Sequence, residues 1–204
     1  MAQHLNPRQK EAVLYIDGPC LVLAGAGSGK TSVITRKIAY LIEECGIPAR
    51  HIAAVTFTNK ASREMKERVS KLVSGKLARG LTVSTFHNLG LTIIRKEHKL
   101  LGYKSGFSIF DADDAKALLR ELMLKDGDLD TDLVDMVQSQ ISSWKSGQLC
   151  PKNALEQADS PAEQRWALIY ENYNRALQAY NAVDFDDLIR LPAQLFQDHP
   201  EALE

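Results

Sequence analysis

An α/β fold with a parallel sheet is predicted for the first part of this chain, and an all-helical region for the rest. Short apolar strand patterns alternate with amphipathic helix patterns through the first 90 residues. Such alternation is typical of parallel strands joined by helical crossovers. A glycine-rich loop separates the first strand pattern from the first helix pattern. From about residue 107 the apolar spacing is helical alone.

Three strand patterns and three helix patterns make up the α/β part. Each strand pattern leads into a loop and then a helix, so the loops 25–31, 57–60 and 86–88 should open at one edge of the sheet. Ligands bind at that edge in such folds. The strands are Leu21–Ala24, Ile52–Phe57 and Leu81–Phe86. The helices are Val33–Ile42, one from about Lys60 with Ala61, Met65, Val69 and Leu72 on one face, and one with Leu89, Ile93 and Ile94.

The glycine-rich loop is a phosphate-binding motif. Residues 24–31 read Ala-Gly-Ala-Gly-Ser-Gly-Lys-Thr. The loop N–H groups can surround an anion at the positive end of a helix, Lys30 can reach the β- and γ-phosphates, and Thr31 can ligate Mg²⁺. Ala24 replaces the first glycine of the strict pattern, a small change because this position only begins the turn. The motif predicts a nucleoside triphosphate site formed by Ala24, Gly25, Ala26, Gly27, Ser28, Gly29, Lys30 and Thr31.

Capping residues and apolar spacing predict three helices in the second part. Residues 160–163 form a capping box with proline at the first helical position. The aromatic stripe that follows could stack bases, but its i, i+3, i+4, i+7 spacing favours a core position. The caps and apolar positions are Asp111 or Asp113 with Leu118, Leu119 and Leu122; Thr131 or Asp132 with Leu133, Val137, Ile141 and Trp144; and Ser160 with Trp166, Ile169, Tyr170, Tyr173, Leu177 and Tyr180.

Two acidic segments imitate metal sites, and neither is interpreted as one. The first lacks the glycine and the final glutamate of a calcium loop, because Thr131 and Val137 occupy those positions. The second has no apolar strand pattern before it, so we expect its carboxylates to cap or flank a helix beginning near Leu188. The two segments are Asp126, Asp128 and Asp130, and Asp184, Asp186 and Asp187.

Composition and charge narrow the class of protein. The chain has 204 residues, 45% hydrophobic and 25% charged, and it lacks a membrane-length apolar run or a secretory signal. Its three cysteines are not spaced as metal ligands and predict reduced core thiols in a cytoplasmic protein.

Residues 60–104 carry a net charge of +8 and residues 105–204 a net charge of −11. The basic block fits either a polyanionic partner or a solvated helix face with ion pairs along it.

Five segments of the chain carry motifs in a fixed order: Leu5–Val13, Ala24–Thr31, Ala54–Met65, Thr82–His87 and Asp184–Leu188. In this order and spacing they resemble the superfamily 1 DNA helicases of the Rep, PcrA and UvrD kind. The resemblance covers nearly the whole chain. It implies a RecA-like P-loop lobe formed by residues 1–90 and 182–204, with an inserted all-α subdomain at residues 91–181.

The resemblance also implies a function. It identifies an ATP-dependent 3′–5′ DNA helicase of replication or repair that uses ATP and Mg²⁺. Its partners would be single-stranded DNA, duplex junctions and replication or repair proteins, with no membrane involved. Gln9 would read adenine, and Arg36 would replace an arginine that the family commonly has where Ser32 stands here. The implied strand contacts are Phe57, Thr58, Asn59, Thr85, Phe86 and His87, although from the residues alone Phe57 and Phe86 could equally end packed strands, and His87 could bond a backbone carbonyl.

One motif of the family is missing from these residues. An apolar strand ending in Asp-Glu should follow Asp184–Leu188 by a few tens of residues, and the arginine fingers of the family, worth roughly 10³–10⁵ in rate, come from a later lobe. We therefore expect an amino-terminal part of a helicase with little or no turnover. A nucleotide-binding adaptor without catalysis is the alternative. A nucleotide kinase is disfavoured because residues 105–160 hold only Arg120 for an arginine-bearing lid.

Overall fold

The computed structural model describes residues 5–125, 127 and 133–203. The chain divides into two compact units, residues 1–86 and residues 87–204. Each unit combines helices with a short parallel sheet, so the chain is mixed α/β, as predicted for its first part. Among the helices of the described ranges, none is both long enough and apolar enough to cross a bilayer.

The first unit is built on a two-stranded parallel sheet. Its elements are α1 Pro7–Leu14, α2 Lys30–Glu43, β1 Ala53–Thr56, α3 Asn59–Leu72 and β2 Thr82–Thr85, with a 3₁₀ turn at Ala49–His51. β1 and β2 pair in parallel, from Ala53 opposite Thr82 to Thr56 opposite Thr85, as predicted. α2 and α3 contribute to a core of Ile38, Ile42, Ala49, Ala54, Met65, Val69, Val73 and Val83.

The prediction of a strand at Leu21–Ala24 is wrong. This segment does not form a strand, and the side chains of Leu21 and Leu23 are 84% and 87% exposed. A strand is stabilised by hydrogen bonds to a neighbour. Within the described residues, β1 and β2 pair only with each other, so the apolar run finds no partner.

Burial also differs from the prediction at two kinds of position. Met65 and Val69 are buried on α3 as expected, but Leu72 is 40% exposed and Val73 takes the core position after it. The cysteines are free, but Cys20 and Cys150 are exposed rather than core residues. Cys20 belongs to the unpaired segment before the glycine-rich loop, and Cys150 is the N-cap of a short helix that begins at Pro151.

The second unit contains most of the helices. Its elements are α4 Phe86–Glu97, which begins at the last residue of the first unit, β3 Ser108–Phe110, α5 Ala112–Lys125, α6 Val134–Ser146, α7 Pro151–Glu156, α8 Pro161–Ala179, β4 Ala182–Asp184 and α9 Asp187–Asp198, with a 3₁₀ turn at Pro200–Leu203. β3 and β4 form a second parallel pair, with Ile109 opposite Val183. The prediction of helices alone after residue 107 is therefore wrong. Three-residue strands are too short to show a strand period in the sequence.

The predicted helices and their caps are largely confirmed. Asp111 caps α5, because its Oδ1 accepts hydrogen bonds from the N–H groups of Asp113 and Asp114, each at 2.9 Å. Ser160 caps α8 through a 3.2 Å bond from Glu163 N–H, although the Glu163 carboxylate accepts from Asp159 N–H instead of closing the box on Ser160.

The aromatic stripe of α8 is core, as the spacing predicted. Tyr170 and Tyr173 are buried, and only the last residue of the stripe, Tyr180, is mostly exposed. The core around it contains Leu118, Leu119, Val137, Ile141, Ile169 and Leu177. The candidate caps Thr131 and Asp132, and the aspartates at 126, 128 and 130, lie outside the described residues.

Candidate nucleotide and nucleic-acid site

The glycine-rich loop adopts a conformation that requires glycine. Gly27 and Gly29 have φ angles of 73° and 82°. These values lie in the left-handed backbone region that residues with a Cβ rarely adopt. Gly29 is the N-cap of α2 and offers no side chain to cap it. The first N–H groups of α2 therefore face the loop at the positive end of the helix, which is an arrangement that suits an anion.

Lys30 closes the loop from the helix side. Its Nζ donates hydrogen bonds to the carbonyl oxygens of Ala24 at 3.0 Å and Gly25 at 2.6 Å. The ammonium is thus held over the loop by neutral acceptors. A phosphate group carries more negative charge than a carbonyl oxygen, so it can compete for this ammonium. Thr31, the next residue of the same turn, is half-buried.

Gln9 connects α1 to the loop. Its Oε1 accepts from Asn6 N–H at 2.9 Å and completes the capping box of α1, while its Nε2 donates to the Ser28 carbonyl at 2.9 Å. A Cβ at position 29 would lie 3.0 Å from this Nε2, a second reason for glycine there. A primary amide has two donor hydrogens and two lone pairs, so Gln9 keeps one of each for the edge of a base.

A cavity of about 500 Å³ lies beside the loop, which is within the usual range for small-molecule sites. Two cationic residues that no sequence motif predicted, Arg8 and Lys37, line the cavity, and Arg36 is not among the lining residues. Lys37 also donates to the carbonyls of Ala12 at 3.0 Å and Tyr15, and so fixes the end of α1 against α2. The apolar part of the lining is Ala12, Val22, Leu23, Ala24, Val33 and Ile34.

Two exposed aromatic residues follow the paired strands of the first unit. Phe57 is 95% exposed directly after β1, and Phe86 is 51% exposed directly after β2. Because β1 and β2 are parallel and Thr56 lies opposite Thr85, both rings leave the sheet at its carboxyl edge. The alternative that these rings end packed strands is not supported by their exposure. Exposed aromatic faces at such an edge can stack on bases.

Polar residues flank these rings. Thr58 caps α3, since its Oγ1 accepts from Ala61 N–H at 3.1 Å, and its hydroxyl hydrogen stays available to donate. Asn59 is the first residue of α3. Thr85 is buried, unlike its neighbours. The roles of these three residues in strand binding stay predictions.

His87, the first residue of the second unit, lies against an aromatic ring that sequence analysis missed. The centroids of the His87 and Phe185 rings are 6.4 Å apart at an interplanar angle of 75°. Phe185 is 50% exposed. Phe185 belongs to the motif Asp184–Leu188, but only the tertiary structure shows that its ring pairs with His87.

Four charged residues form a buried network beside Phe185. Lys145 Nζ lies 2.7 Å from Asp184 Oδ2 and 3.0 Å from Asp187 Oδ1, and Arg190 Nε donates to the same Asp187 oxygen at 3.0 Å. The Tyr173 hydroxyl donates to Asp184 Oδ2 at 2.9 Å. Asp184 ends β4, so the expectation that no apolar strand precedes these aspartates is wrong, although Asp184 does cap α9 by accepting from Asp187 N–H at 2.9 Å.

The loop places glycines in the left-handed backbone region directly before a helix, and a lysine lies in the first turn of that helix beside a cavity. P-loop nucleotide-binding proteins have this arrangement. Within that class, the chain belongs to the UvrD/REP helicase N-terminal domain family, whose family model matches residues 5–204. This confirms the resemblance predicted from the five motifs.

Named relatives agree with the family. The chain is 54% identical over 202 residues to ATP-dependent DNA helicase Rep of Salmonella typhimurium, covering 98% of this chain and 30% of that protein. It is 54% identical over 199 residues to the Escherichia coli protein of the same name, covering 97% and 29%. ATP-dependent DNA helicase PcrA of Staphylococcus aureus is 41% identical over 206 residues, covering 100% and 28%. The chain thus spans about 30% of the length of these relatives.

Proposed function

We propose that the protein is an ATP-dependent DNA helicase in which this chain supplies half of the ATP site and part of the surface that holds single-stranded DNA. The match of the helicase N-terminal family to residues 5–204 carries this proposal. The protein would move 3′–5′ along one strand and unwind duplex DNA in the cytoplasm, during replication or repair. Residues 1–90 and 182–204 would belong to a RecA-like lobe, and residues 91–181 to an inserted helical subdomain.

The loop geometry supports the ATP part of the proposal. The α2 N-terminus and the loop N–H groups bind the phosphates, and Lys30 exchanges the carbonyls of Ala24 and Gly25 for phosphate oxygens. Thr31 lies in the first turn of α2, where its hydroxyl can ligate Mg²⁺. A bound Mg²⁺ would neutralise phosphate charge there. Gln9 reads the adenine edge, and its bond to Ser28 O ties that recognition to the loop.

The exposed aromatic residues support the DNA part. Phe57 and Phe86 leave one sheet edge in the first unit, and His87 and Phe185 form a pair in the second. Stacking on such rings does not depend on base identity, which suits a protein that must step along any sequence. Duplex junctions and replication or repair proteins are the further partners that the proposal includes.

Nucleotide binding by this chain tests the ATP part. Lys30→Ala should weaken binding of a fluorescent ATP analogue in the presence of Mg²⁺ by at least tenfold, because a charge-assisted contact worth about 1.5–3 kcal/mol is removed. Lys10→Ala is the matched control, an exposed lysine of α1 outside the cavity lining, and should bind as the wild type does. Equal binding by the Lys30→Ala and wild-type proteins would contradict the assignment of Lys30.

Unwinding tests the function as a whole. In a polypeptide of the relatives' full length, the wild type should unwind a duplex with a 3′ single-stranded tail, and Lys30→Ala should fold normally but fail to unwind it. Nucleotide binding without any affinity for single-stranded DNA would favour the adaptor instead.

A further inference from the structure

We propose that Lys145 is a positioning residue for strand binding: its buried ammonium fixes the turn between β4 and α9 so that Phe185 stays beside His87. The proposal rests on the proposed function in one respect, that this aromatic pair contacts single-stranded DNA. Lys145 lies on α6, far along the chain from either ring, and touches neither of them in the described contacts.

The ammonium joins both ends of one short turn. Asp184 is the last residue of β4 and Asp187 is the first residue of α9, and Lys145 Nζ binds a carboxylate oxygen of each, at 2.7 Å and 3.0 Å. Only Phe185 and Asp186 lie between these two anchors. The backbone that carries Phe185 therefore cannot shift without breaking a contact to the buried ammonium.

The turn is also fixed by hydrogen bonds from its own backbone N–H groups to the two carboxyl groups. Asp187 N–H donates to Asp184 Oδ1 at 2.9 Å, and Asp184 N–H donates to Asp187 Oδ2 at 3.4 Å. Both carboxyl groups must stay in place to accept these bonds. Lys145 and Arg190 supply two positive charges for the two carboxylates, so loss of the ammonium would leave one buried negative charge without compensation.

The His87 side of the pair is fixed independently. A Cβ at Gly90 would lie 1.7 Å from the Leu188 carbonyl oxygen, so α4 and the first turn of α9 approach as closely as backbones can. His87 lies one turn before Gly90 on α4. With α4 held against α9 at this contact, the remaining freedom in the pair belongs to the turn that carries Phe185.

A buried lysine is a poor choice for stability alone. Lys145 is 0% exposed, and burying an ammonium costs several kcal/mol that an ion pair repays only in good geometry. Replacing a whole buried network of this kind by well-packed apolar residues of similar volume is often neutral or stabilising. The buried charge of Lys145 is explained if its function is to hold the two aspartates, and hence Phe185, in one defined position.

A double-mutant cycle tests the proposal through the affinity of the chain for a fluorescent oligo-dT. Phe185→Ala should weaken binding about tenfold, from the loss of one stacked base, and Lys145→Met should weaken it to a similar degree. The double variant should bind no more weakly than Phe185→Ala, because Lys145 acts through that ring. Lys145→Arg keeps the charge and should recover most of the affinity. Losses that add in the double variant would overturn the proposal.

A second readout is independent of DNA. With 4-fluorophenylalanine at position 185, Lys145→Met should shift or broaden the ¹⁹F resonance, and Lys145→Arg should leave it near the wild-type position. An unchanged resonance in Lys145→Met would overturn the positioning role. If the wild type binds no oligonucleotide and Lys145→Met still shifts the resonance, the DNA function is overturned while the positioning role is supported.

If Lys145→Met does not fold, Tyr173→Phe takes its place. This substitution removes only the hydroxyl that donates to Asp184 and keeps the ring in the core. It should produce a smaller loss of oligonucleotide affinity that vanishes in the Phe185→Ala background. A loss that persists in that background would contradict the proposal.

Discussion

Asp184 and Asp187 are identical side chains three positions apart, yet their surroundings move their pKa values in opposite directions. Burial, followed by repulsion from Asp187, raises the pKa of Asp184. Burial opposes ionisation of Asp187 as well, but the charges of Lys145 and Arg190 outweigh it and lower the pKa of that carboxyl. Burial also raises the pKa of the Tyr173 phenol, so this hydroxyl stays protonated and continues to donate to Asp184.

Asp187→Asn should destabilise the protein near neutral pH by about 3 kcal/mol, because it leaves the buried cations with one carboxylate. An Asp whose folded pKa lies below its unfolded value of about 3.9 stabilises above that value and loses the effect as the pH falls through the folded pKa. The difference in unfolding free energy between wild type and variant should therefore shrink below about pH 4. Denaturant titrations at a series of pH values measure this.

The matched control for that experiment is Asp186→Asn. Asp186 lies in the same turn but outside the ion-paired network of the described residues, so its substitution should change stability little at any pH. Because the raised pKa of Asp184 contributes in the opposite sense, the comparison between variants is more informative than the wild-type curve. A difference between wild type and Asp187→Asn that grew on acidification would contradict the assigned direction.

Single residues also show what a sequence can and cannot predict about the site. The glycines, Lys30 and Gln9 belong to local motifs, and their contacts are with the loop itself, so their place could be predicted. The charges that line the cavity, Arg8 and Lys37, come from helices whose packing has no local signature. The same is true of the His87–Phe185 pair.

At the scale of elements, the approach of α4 to α9 sets the geometry of the second unit. Gly90 is buried in α4 directly under the Leu188 carbonyl. A glycine inside a helix costs about 1 kcal/mol relative to alanine, and here it permits a contact that no larger residue allows. The two helices then pack with Ile94, Leu188 and Leu191 in one core.

Gly90→Ala should be destabilising by about 3 kcal/mol or more, despite the better helix propensity of alanine, because the new Cβ would overlap a backbone oxygen that can move only with α9. Thermal and denaturant unfolding measure the effect. Gly147→Ala is the control in the same unit, since its Cβ would meet nothing closer than 3.5 Å and its φ of −79° suits any residue. Equal stabilities of the two variants would contradict the close approach.

Elements were predictable where their signal is local. α5 and α8 follow from a cap and an apolar stripe within one segment, and α3 follows from its apolar stripe alone. The Leu21–Ala24 run shows the opposite case, because an apolar run becomes a strand only if a neighbour pairs with it. β3 and β4 were missed for the same reason, since three residues give no period and each strand depends on the other.

At the scale of the whole molecule, each unit has its own hydrophobic core. One cluster, from Ile38 to Val83, lies within residues 1–86, and two others lie within residues 87–204. Both tryptophans, Trp144 and Trp166, belong to the second unit. Intrinsic tryptophan fluorescence therefore reports on that unit, whereas far-UV circular dichroism reports on the helices of both.

Unfolding in urea should give transitions that do not coincide between these two probes, because separate cores allow the units to unfold separately. Val69→Ala, in the first core, should lower the unfolding free energy measured by dichroism by about 2 kcal/mol. It should leave the fluorescence curve in place. Leu119→Ala, in the second unit, should move the fluorescence curve. Coincident curves that both variants shift equally would mean that the two units unfold as one.

The pairing of β3 with β4 has a consequence for how the second unit is synthesised and folds. α5, α6, α7 and α8 all lie between the two strands along the chain, so the strands meet only after a long segment has closed on itself, at an entropic cost that local helix contacts do not carry. Asp184, at the end of β4, reaches Lys145 in that same late event. On the ribosome, the helices can form as they emerge, while Lys145 stays hydrated until residue 184 has left the exit tunnel. The ion pairs that Lys145 makes with Asp184 and Asp187 are thus among the last contacts of this unit to form.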